Sequence, residues 1–343
     1  MKAVLLLGGL GTRLRPLTAD RPKQMLPVCG RPMIEWVCEH LARHGVTDVV
    51  LSLGYRPEAF TEAYPDGKIG RLRFEVAVEP EPAGTAGAVR FAATAAQLSE
   101  TFLVLNADVL TDLDVSALVQ FHVDSGAQAS IALQPVDDPS AYGLVLADTM
   151  GRVHTFAEKP GPGSAILRSP DGSRPTISAG TYVLEPTVVE RIPPGRAVSI
   201  EREVFPALVA DGTMCALAED TYWLDTGTPQ QYLAANLDIL EGRRPNARVG
   251  DEASMASDGF DPRSRVRASV IGANCSIGPD AVVVRSVLMD GCEVGPGAVI
   301  ADSVLASDVV IGAEALVTQN SVVGRGERIE SDAVVTAVRV PPA

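Results

Sequence analysis

The sequence is poor in aromatic residues and histidine, and it has no long apolar run. Among its 343 residues, 5% are aromatic and four are histidine. No stretch approaches the roughly 20 apolar residues that a membrane-spanning helix needs, so we expect no membrane partner. The opening residues MKAVLLLGGLG contain one lysine and a short apolar run without a small-residue cleavage site. They predict a buried first strand rather than a signal peptide, and therefore a cytoplasmic protein.

Cysteine is scarce, and its spacing fits neither a disulfide framework nor a zinc site. The number of cysteines is odd and no two of them form a Cys-x-x-Cys pair. This pattern predicts reduced, unpaired thiols. The cysteines are Cys29, Cys38, Cys215, Cys275 and Cys292.

Positive charge is in the minority, with 29 Lys and Arg against 43 Asp and Glu and a net charge of −14. This balance disfavours nucleic acid as a partner, because phosphate backbones need extended basic surfaces. Residues 13–31 are the exception, since they hold five basic residues and one acid, Asp20. Such a local excess of cations predicts a binding site for a small anion. The five are Arg13, Arg15, Arg21, Lys23 and Arg31.

The first two thirds of the chain alternate strand-like and helix-like segments. AVLLLG is a buried strand that ends in glycine, PMIEWVCEHLARHG has apolar residues at helical spacing, and FLVLN is a later strand. This alternation predicts an α/β fold with a Rossmann-like, mostly parallel sheet covered by helices. Ligands of such sheets bind at the carboxyl ends of the strands, where the first glycine loop and Asp108 both fall.

The last third has a different, six-residue period. Aliphatic residues recur at 271, 277, 283, 288, 294, 300, 305, 311, 317, 323, 329 and 335, with nine intervals of six residues and two of five. The period predicts a parallel β-helix of roughly three to four coils; a β-sandwich with accidental spacing is the alternative. We therefore predict a catalytic domain over 1–240, a Gly-, Pro- and Ser-rich linker over 241–265 and a β-helix over 266–343.

The glycine loop GGLGTRLRPLTADRPK explains the local positive charge. Gly8, Gly9 and Gly11 allow a tight turn whose backbone N–H groups can cradle phosphate oxygens. Arg13 adds a cation suited to a bidentate grip on phosphate, and Lys23 adds a point charge. The loop is neither a GxGxxG fingerprint nor a P-loop.

With its flanks, this loop resembles the signature of the sugar-nucleotide pyrophosphorylases, the nucleotidyltransferases that join a nucleoside triphosphate to a sugar 1-phosphate and release pyrophosphate. The resemblance covers essentially the whole chain and is strongest to mannose-1-phosphate guanylyltransferases. It implies Mg²⁺ as the cofactor, a left-handed β-helix and a homo-oligomer formed through that β-helix. The other matching motifs are EPAGTAGAV, FLVLNADVL, YGLVLAD, FAEKP, SAGTYVL, SIEREVFP and YWLDTGTPQQYL.

The resemblance also implies individual roles. Arg13 would bind the β- and γ-phosphates, and Lys23 the α-phosphate. Asp108 and Asp225 would share the metal with the α-phosphate, since Mg²⁺ prefers carboxylate and phosphate oxygens. The sugar phosphate would meet Gly143, Glu158, Lys159 and Ser178, and the nucleotide would meet Leu7, Gly8, Gly9, Gly11, Thr12, Glu79, Gly84, Thr85 and Asn106.

The nucleobase and the sugar stay open at this point. Glu79 and Glu81 precede PAGTAG, and a carboxylate can accept both the N1 and the N2 hydrogens of guanine. This favours GTP, with uridylyl, thymidylyl or adenylyl transfer to glucose 1-phosphate as alternatives. Ser178 stands where mannose enzymes usually carry Asn, so a related hexose or cyclitol phosphate is a further alternative.

Two other classes of function compete with a nucleotidyltransferase. A non-catalytic regulatory subunit that binds sugar nucleotide would be expected to lose Arg13, Lys23, Asp108 or Asp225, and all four are present. A β-helix that acetylates sugars would be expected to carry a histidine base, and all four histidines precede residue 155. We therefore expect the β-helix to serve in oligomerisation or regulation.

Overall fold

The computed structural model describes residues 1–54, 56–161, 174–247 and 260–342. These residues form two compact units. The first comprises Met1–Gly8 and Val37–Trp223, and the second comprises Gly9–Trp36 and Leu224–Ala343. Twelve of the 25 residues of the predicted linker over 241–265 lie outside the described residues, and its bounds stay a prediction.

The helices are α1 (Met33–Arg43), α2 (Glu58–Ala63), α3 (Gly84–Ala95), α4 (Val115–Ser125), α5 (Pro186–Glu190), α6 (Phe205–Ala210) and α7 (Pro229–Leu240). The strands of the first two thirds of the chain are β1 (Lys2–Leu6), β2 (Pro27–Val28), β3 (Arg31–Pro32), β4 (Asp48–Leu53), β5 (Lys68–Ile69), β6 (Leu72–Val78), β7 (Phe102–Asn106), β8 (Val109–Thr111), β9 (Ala129–Pro135), β10 (Gly143–Ala147), β11 (Val153–Glu158), β12 (Thr176–Leu184), β13 (Met214–Ala218) and β14 (Trp223–Asp225).

The strands of the last third are β15 (Arg265–Arg267), β16 (Val270–Ile271), β17 (Ser276–Ile277), β18 (Val282–Val284), β19 (Val287–Leu288), β20 (Glu293–Val294), β21 (Val299–Ala301), β22 (Val304–Leu305), β23 (Val310–Ile311), β24 (Leu316–Thr318), β25 (Val322–Val323), β26 (Arg328–Ile329), β27 (Val334–Thr336) and β28 (Arg339–Val340). None of the helices in the described part of the chain is long and apolar enough to cross a membrane.

A ten-stranded sheet forms the centre of the first unit. Its order is β11-β10-β12-β7-β1-β4-β6-β5, with β9 beside β12 and β13 beside β9. The central strands β7, β1, β4 and β6 are parallel, and β5 and β12 pair antiparallel on either side of them. Ala3, Val4 and Leu5 of β1 are fully buried, as the apolar run predicts. The predicted α/β fold with a mostly parallel, Rossmann-like sheet is confirmed.

The second unit packs the residues after the glycine loop against α7. The side chain of Thr228 caps α7 by accepting a hydrogen bond from the backbone N–H of Gln231. Farther along the helix, the Tyr232 hydroxyl donates to the carbonyl of Pro27, and Asn236 Oδ1 accepts from the N–H of Cys29 at 2.8 Å. These bonds fix the β2–β3 hairpin on the helix.

Three parallel sheets build the C-terminal β-helix. Their orders are β15-β18-β21-β24-β27, β16-β19-β22-β25-β28 and β17-β20-β23-β26, and partner strands are mostly 17 residues apart. Each aliphatic position predicted to point inward is buried, with at most 9% of its surface exposed. The β-helix prediction is confirmed. The coils number between four and five, not three to four, because strands extend beyond the aliphatic positions 271–335 at both ends, from Arg265 to Val340.

Glycine is required in this β-helix where coils approach closely. A Cβ on Gly272 would lie 2.5 Å from the backbone N of Asp290, and a Cβ on Gly312 would lie 2.4 Å from that of Ser331. Such contacts exclude any side chain without displacement of the next coil. The five cysteines, all within the described residues, form no disulfide, and those at 275 and 292 are buried in this domain.

A buried line of polar groups that the sequence did not reveal ties α4 to the large sheet. His122 is 2% exposed, and its ring nitrogens lie 2.9 Å from the Ser130 hydroxyl and 3.0 Å from Glu185 Oε1. The hydroxyl of Thr101 donates to the same carboxylate at 2.6 Å. Ser130 is fully buried, so this Ser–His–Glu arrangement is closed to substrates and acts in stability.

The Glu185 carboxylate makes this line sensitive to acid. Burial raises its pKa, but the hydrogen bonds from Thr101 and His122 outweigh burial and leave the pKa below its usual value. A carboxyl group with a lowered pKa in the folded state stabilises the fold above its unfolded-state pKa, and this contribution is lost as the pH falls through the folded-state pKa.

We therefore expect Glu185→Gln to lower the free energy of unfolding at pH 7. The difference from the unchanged protein should shrink as the pH falls below about 4.3, the ordinary pKa of glutamate. Urea unfolding at a series of pH values measures this difference. Glu190→Gln, on the exposed side of α5, is the control and should show no such trend. A difference for Glu185→Gln that is constant with pH would contradict the assignment.

Candidate active site

The glycine loop of the second unit has the left-handed backbone that its sequence predicts. Gly9 has φ 102° and Gly11 has φ 61°, values that residues with a side chain rarely adopt. Gly11 precedes a 3₁₀ turn over Thr12–Leu14. The buried Thr18 hydroxyl donates to the carbonyl of Gly11 at 2.8 Å and fixes the turn from behind.

Arg13 and Asp225, which are 212 positions apart in the sequence, are brought together at Gly227. A Cβ on Gly227 would lie 2.5 Å from Arg13 Nη2 and 2.9 Å from Asp225 Oδ1. The N–H of Gly227 donates to the same Asp225 oxygen at 2.8 Å. A glycine is therefore needed to let the guanidinium and the carboxylate approach this backbone. Gly227 was not among the predicted site residues, although it belongs to the DTGTP motif.

Lys23 also belongs to the second unit. It begins a 3₁₀ turn over Lys23–Met25 that follows Pro22, and its residue is half-buried. Arg13 and Thr12 are exposed at the start of the loop. The cations predicted to bind phosphate thus sit on two short turns of the second unit.

The first unit supplies the strand ends. Leu7 and Gly8 follow β1, the N–H of Leu7 donates to the carbonyl of Ser52, and the N–H of Ala107 donates to that of Leu6. Asn106 and Asp108 flank Ala107, and both are half-buried. The sequence-based placement of these residues at the carboxyl ends of neighbouring parallel strands is therefore correct.

Glu79 is held by its own unit. Its Oε1 accepts from the Ser52 hydroxyl at 3.2 Å and its Oε2 accepts from the N–H of Ala83 at 3.1 Å, which joins β6 to the start of α3. A cavity of about 570 Å³ opens beside it and is lined by Glu81, Arg90 and residues 193–197, among others. Glu79 itself is among the residues that line this cavity.

Gly84 and Thr85 begin α3 under tight constraint. Gly84 has φ 74°, and a Cβ there would lie 2.5 Å from the carbonyl oxygen of Val198. The Thr85 hydroxyl donates to Glu201 Oε2 at 2.7 Å and accepts from the N–H of Ile200 at 2.9 Å. Thr85 therefore joins α3 to the segment SIEREVFP, and its side chain is fixed in one orientation.

Two of the predicted sugar-binding residues, Glu158 and Ser178, interact with a buried tyrosine. Burial raises the pKa of Tyr182, and the carboxylates of Glu201, Glu158 and Asp108 raise it further, while a hydrogen bond with Ser178 lowers it. Three carboxylates and two hydroxyls thus lie in one region of the first unit. The sequence predicted three of these five residues and missed Tyr182 and Glu201, which follow SAG and begin EREVF.

Two glycines shape this region. A Cβ on Gly143 would lie 3.1 Å from Glu158 Oε2, since the two residues are paired across the β10–β11 hairpin. Gly180 has φ 74°, and a Cβ there would lie 2.8 Å from Asn106 Nδ2. Lys159 has φ 47° and its Nζ lies 3.5 Å from Glu158 Oε1. At Gly143 and Gly180, the carboxylate of Glu158 and the amide of Asn106 thus lie close to backbone that carries no side chain.

A larger cavity of about 830 Å³ lies in the first unit without any of the predicted residues. Leu146, Met150, His154 and Arg174 line it among others, at the turn that joins β10 to β11. Its volume is greater, but it lacks the glycine-framed carboxylates of the Tyr182 region. Three of the predicted residues, Asp108, Glu158 and Ser178, lie in the Tyr182 region, and none lines the larger cavity.

Comparison with known proteins gives the family. The model of the nucleotidyl transferase family matches residues 2–242, and that of the GMPPB C-terminal domain matches residues 246–343. The mannose-1-phosphate guanylyltransferase of Mycobacterium tuberculosis is 40% identical over 247 residues, which cover 71% of this chain and 66% of that protein. The mannose-1-phosphate guanyltransferase of Schizosaccharomyces pombe is 39% identical over 248 residues, with shares of 71% and 66%. The aligned region spans about two thirds of the length of these relatives.

Solved structures agree with this result. HddC from Yersinia pseudotuberculosis matches with a TM-score of 0.57 and 28% identity, over 68% of this chain and 97% of that one. A second structure of the same protein, complexed with GMP-PN, matches with a TM-score of 0.57 and 29% identity over the same shares. Since the family model covers well over half of the residues, the chain belongs to the nucleotidyl transferase family.

Proposed function

We propose that the chain transfers a nucleoside monophosphate from a nucleoside triphosphate to a sugar 1-phosphate and releases pyrophosphate. This proposal rests mainly on one observation. The Arg13 guanidinium and the Asp225 carboxylate both lie against Gly227. Arg13 follows the left-handed glycines of the loop. A fixed cation beside exposed backbone amides suits the grip of a polyphosphate. Family membership supports the same reaction.

The reaction is an in-line displacement at the α-phosphorus. A phosphate oxygen of the sugar phosphate is anionic near neutral pH, so it attacks without a general base, and the bond from the α-phosphorus to the bridging oxygen of pyrophosphate breaks. The protein must hold two mutually repelling anions in line and stabilise the charge that develops on the leaving group. In this scheme Arg13 binds the β- and γ-phosphates and Lys23 binds the α-phosphate.

The second substrate binds to the carboxylates and hydroxyls around Tyr182. Glu158 accepts hydrogen bonds from sugar hydroxyls, Lys159 binds the sugar phosphate and the backbone of Gly143 packs against the ring. Ser178 contributes a hydroxyl that the Tyr182 contact already orients. Acceptors held in place before binding favour one arrangement of hydroxyls over others.

The residues present suit a magnesium ion that is bound together with substrate. Among the residues that the structure describes, no three His, Cys, Asp or Glu side chains form a cluster able to hold a metal. Mg²⁺ commonly takes only one or two carboxylates and completes its shell with phosphate oxygens and water. Asp225, oriented by the N–H of Gly227, and Asp108 would provide these carboxylates. When bound, the ion would neutralise phosphate charge.

We propose GTP and mannose 1-phosphate as the preferred pair. The curated relatives carry the name mannose-1-phosphate guanylyltransferase, and the solved structure of HddC is complexed with GMP-PN. Glu79, fixed by Ser52 and Ala83, can accept the two hydrogens of the guanine edge. Ser178 keeps a related hexose or cyclitol phosphate, or glucose 1-phosphate with another triphosphate, as the competing pair.

We also propose that the protein is cytoplasmic and forms homo-oligomers through its β-helix. β27 and β28 are the last strands of their sheets, and Val334 of β27 is 70% exposed. An exposed final coil with an apolar side chain favours association with a second copy. Sedimentation velocity that shows only a monomer at micromolar concentration would contradict this part of the proposal.

Replacement of Arg13 by alanine should lower turnover about 100-fold or more, because loss of one main stabiliser of transition-state charge has an effect of this size. Pyrophosphate release with GTP and mannose 1-phosphate measures it. Arg15→Ala is the matched control, since Arg15 is an exposed arginine two positions farther along the loop, and it should stay within a few-fold of the unchanged protein. Equal effects of the two replacements would exclude the assigned role of Arg13.

Gly227→Ala tests the geometry at the loop. The new Cβ must displace the Arg13 guanidinium, which is the end of a flexible side chain, so the fold should survive with a melting temperature within a few degrees. We expect kcat/KM to fall about 10- to 100-fold, as small misplacements of catalytic groups do. Unchanged kinetics would show that the position of the guanidinium does not matter.

A screen of substrates tests base, sugar and metal together. Pyrophosphate release should be fastest with GTP among GTP, ATP, UTP and dTTP, and with mannose 1-phosphate among hexose 1-phosphates. Removal of divalent cations with EDTA should abolish turnover, and added Mg²⁺ should restore it.

In Glu79→Gln, the preference for GTP should weaken by about 10-fold, since the amide can accept only through its oxygen. A preference for UTP or dTTP would overturn the guanine assignment.

A further inference from the structure

The segment Pro16–Arg21 connects the glycine loop to the β-helix within the second unit. On the loop side, Thr18 is 3% exposed, its hydroxyl donates to the carbonyl of Gly11, and its methyl carbon would lie 3.1 Å from a Cβ at Gly11. The segment therefore supports the left-handed turn that precedes Arg13. A displacement of the segment would be transmitted to this turn through a buried hydrogen bond.

On the other side, the β-helix packs against the same segment at Gly324. A Cβ on Gly324 would lie 3.0 Å from Cβ of Pro16, and Pro16 is buried. The glycines at 295 and 312, which follow strands of another sheet of the β-helix, differ in this respect. Their Cβ atoms would meet only backbone of the adjoining coil. A Cβ on Gly324 would thus meet the loop segment as well as the next coil, where Pro341 Cδ and the carbonyl oxygen of Val340 would each lie 3.1 Å away.

An ion-pair network lies next to this packing contact. Arg325 Nη1 donates to Asp20 Oδ2 at 3.1 Å, and Arg325 Nε donates to Asp308 Oδ2 at 3.2 Å. Burial raises the pKa of Asp20, but hydrogen bonds from Arg21 and Arg325 outweigh it and leave that pKa below its usual value. Arg325 therefore connects one coil of the β-helix to the segment behind the glycine loop.

We propose that Arg325 is a positioning residue for the nucleotide site and that the β-helix thereby sets the affinity of the loop for the triphosphate. Arg325 donates a hydrogen bond to Asp20, and the backbone of Gly324 packs against Pro16. Thr18, which lies between Pro16 and Asp20 in the sequence, donates a hydrogen bond to Gly11. This inference rests on the proposed nucleotidyl transfer and deepens it, because it makes the β-helix part of the support of the phosphate-binding loop.

The expected effect is modest, since Arg325 is 56% exposed and Asp20 is 36% exposed. Exposed ion pairs contribute little individually. Arg325→Gln and Asp20→Asn should each raise the KM for GTP by about two- to five-fold and leave kcat within about two-fold. The double variant should resemble the single variants, because both remove the same contact.

Arg285→Gln is the matched control. Arg285 Nε donates to Asp302 Oδ1 at 3.0 Å, and these side chains are 48% and 49% exposed. Arg325 and Asp308 form the same type of ion pair with the same spacing of 17 residues and a similar exposure. Arg285 lacks any hydrogen bond or ion pair to the glycine-loop segment among the described contacts. Its replacement should leave the KM for GTP unchanged.

Hydrogen exchange of the full-length protein provides a readout that needs no catalysis. The backbone N–H groups of Leu14, Leu17 and Ala19 donate within the loop segment. We expect amides of residues 11–21 to exchange about two- to five-fold faster in Arg325→Gln than in the unchanged protein, and to be unaffected in Arg285→Gln.

The outcomes separate this inference from the function on which it rests. Faster exchange in Arg325→Gln alone supports the positioning role, even if no triphosphate is turned over and the proposed reaction fails. Equal exchange and equal KM values in the two arginine variants would overturn the positioning role and leave the proposed reaction intact. Additive effects of Asp20→Asn and Arg325→Gln on KM would likewise overturn it, since the two residues would then act separately.

Discussion

The bare backbone at Gly227 is the constraint on which the candidate site depends. Only hydrogen occupies the space next to its Cα, so Arg13 Nη2 and Asp225 Oδ1 both lie within 2.9 Å of the position that a Cβ would take. The carboxylate, bonded to the N–H of Gly227, provides a fixed negative neighbour for a cation on an exposed loop. In the proposed function, this neighbour would keep the flexible arginine near one place before the triphosphate binds, which would lower the entropy cost of binding.

The two units have complementary chemistry. The second unit carries Arg13 and Lys23, the cations proposed to bind phosphate, on short turns, within a chain of net charge −14. The first unit gathers carboxylates and hydroxyls around Tyr182. The proposed function accounts for this division, because a triphosphate requires positive charge and a sugar ring requires oriented acceptors.

The β-helix contributes more than a repeated core. Its aliphatic ladder is self-sufficient, yet Gly324 and Arg325 face the segment behind the glycine loop instead of the next coil alone. A regular repeat tolerates such a departure because each coil is stabilised mainly by its neighbours. The second unit therefore joins residues from both ends of the chain into one support for the loop.

Patterns that are local in the sequence were predictable, and contacts between distant residues were not. The parallel sheet, the glycine turn and the inward positions of the β-helix follow from periodicity and from the backbone freedom of glycine, which depend only on near neighbours. The meeting of Arg13 with Gly227, the buried line of His122 and Glu185, the acidic surroundings of Tyr182 and the contact of Arg325 with Asp20 required the folded chain. The hydrogen-bonded residues His122 and Glu185 are 63 positions apart, and Asp20 and Arg325 are 305 positions apart. Only tertiary packing decides which polar groups share a buried or half-buried space.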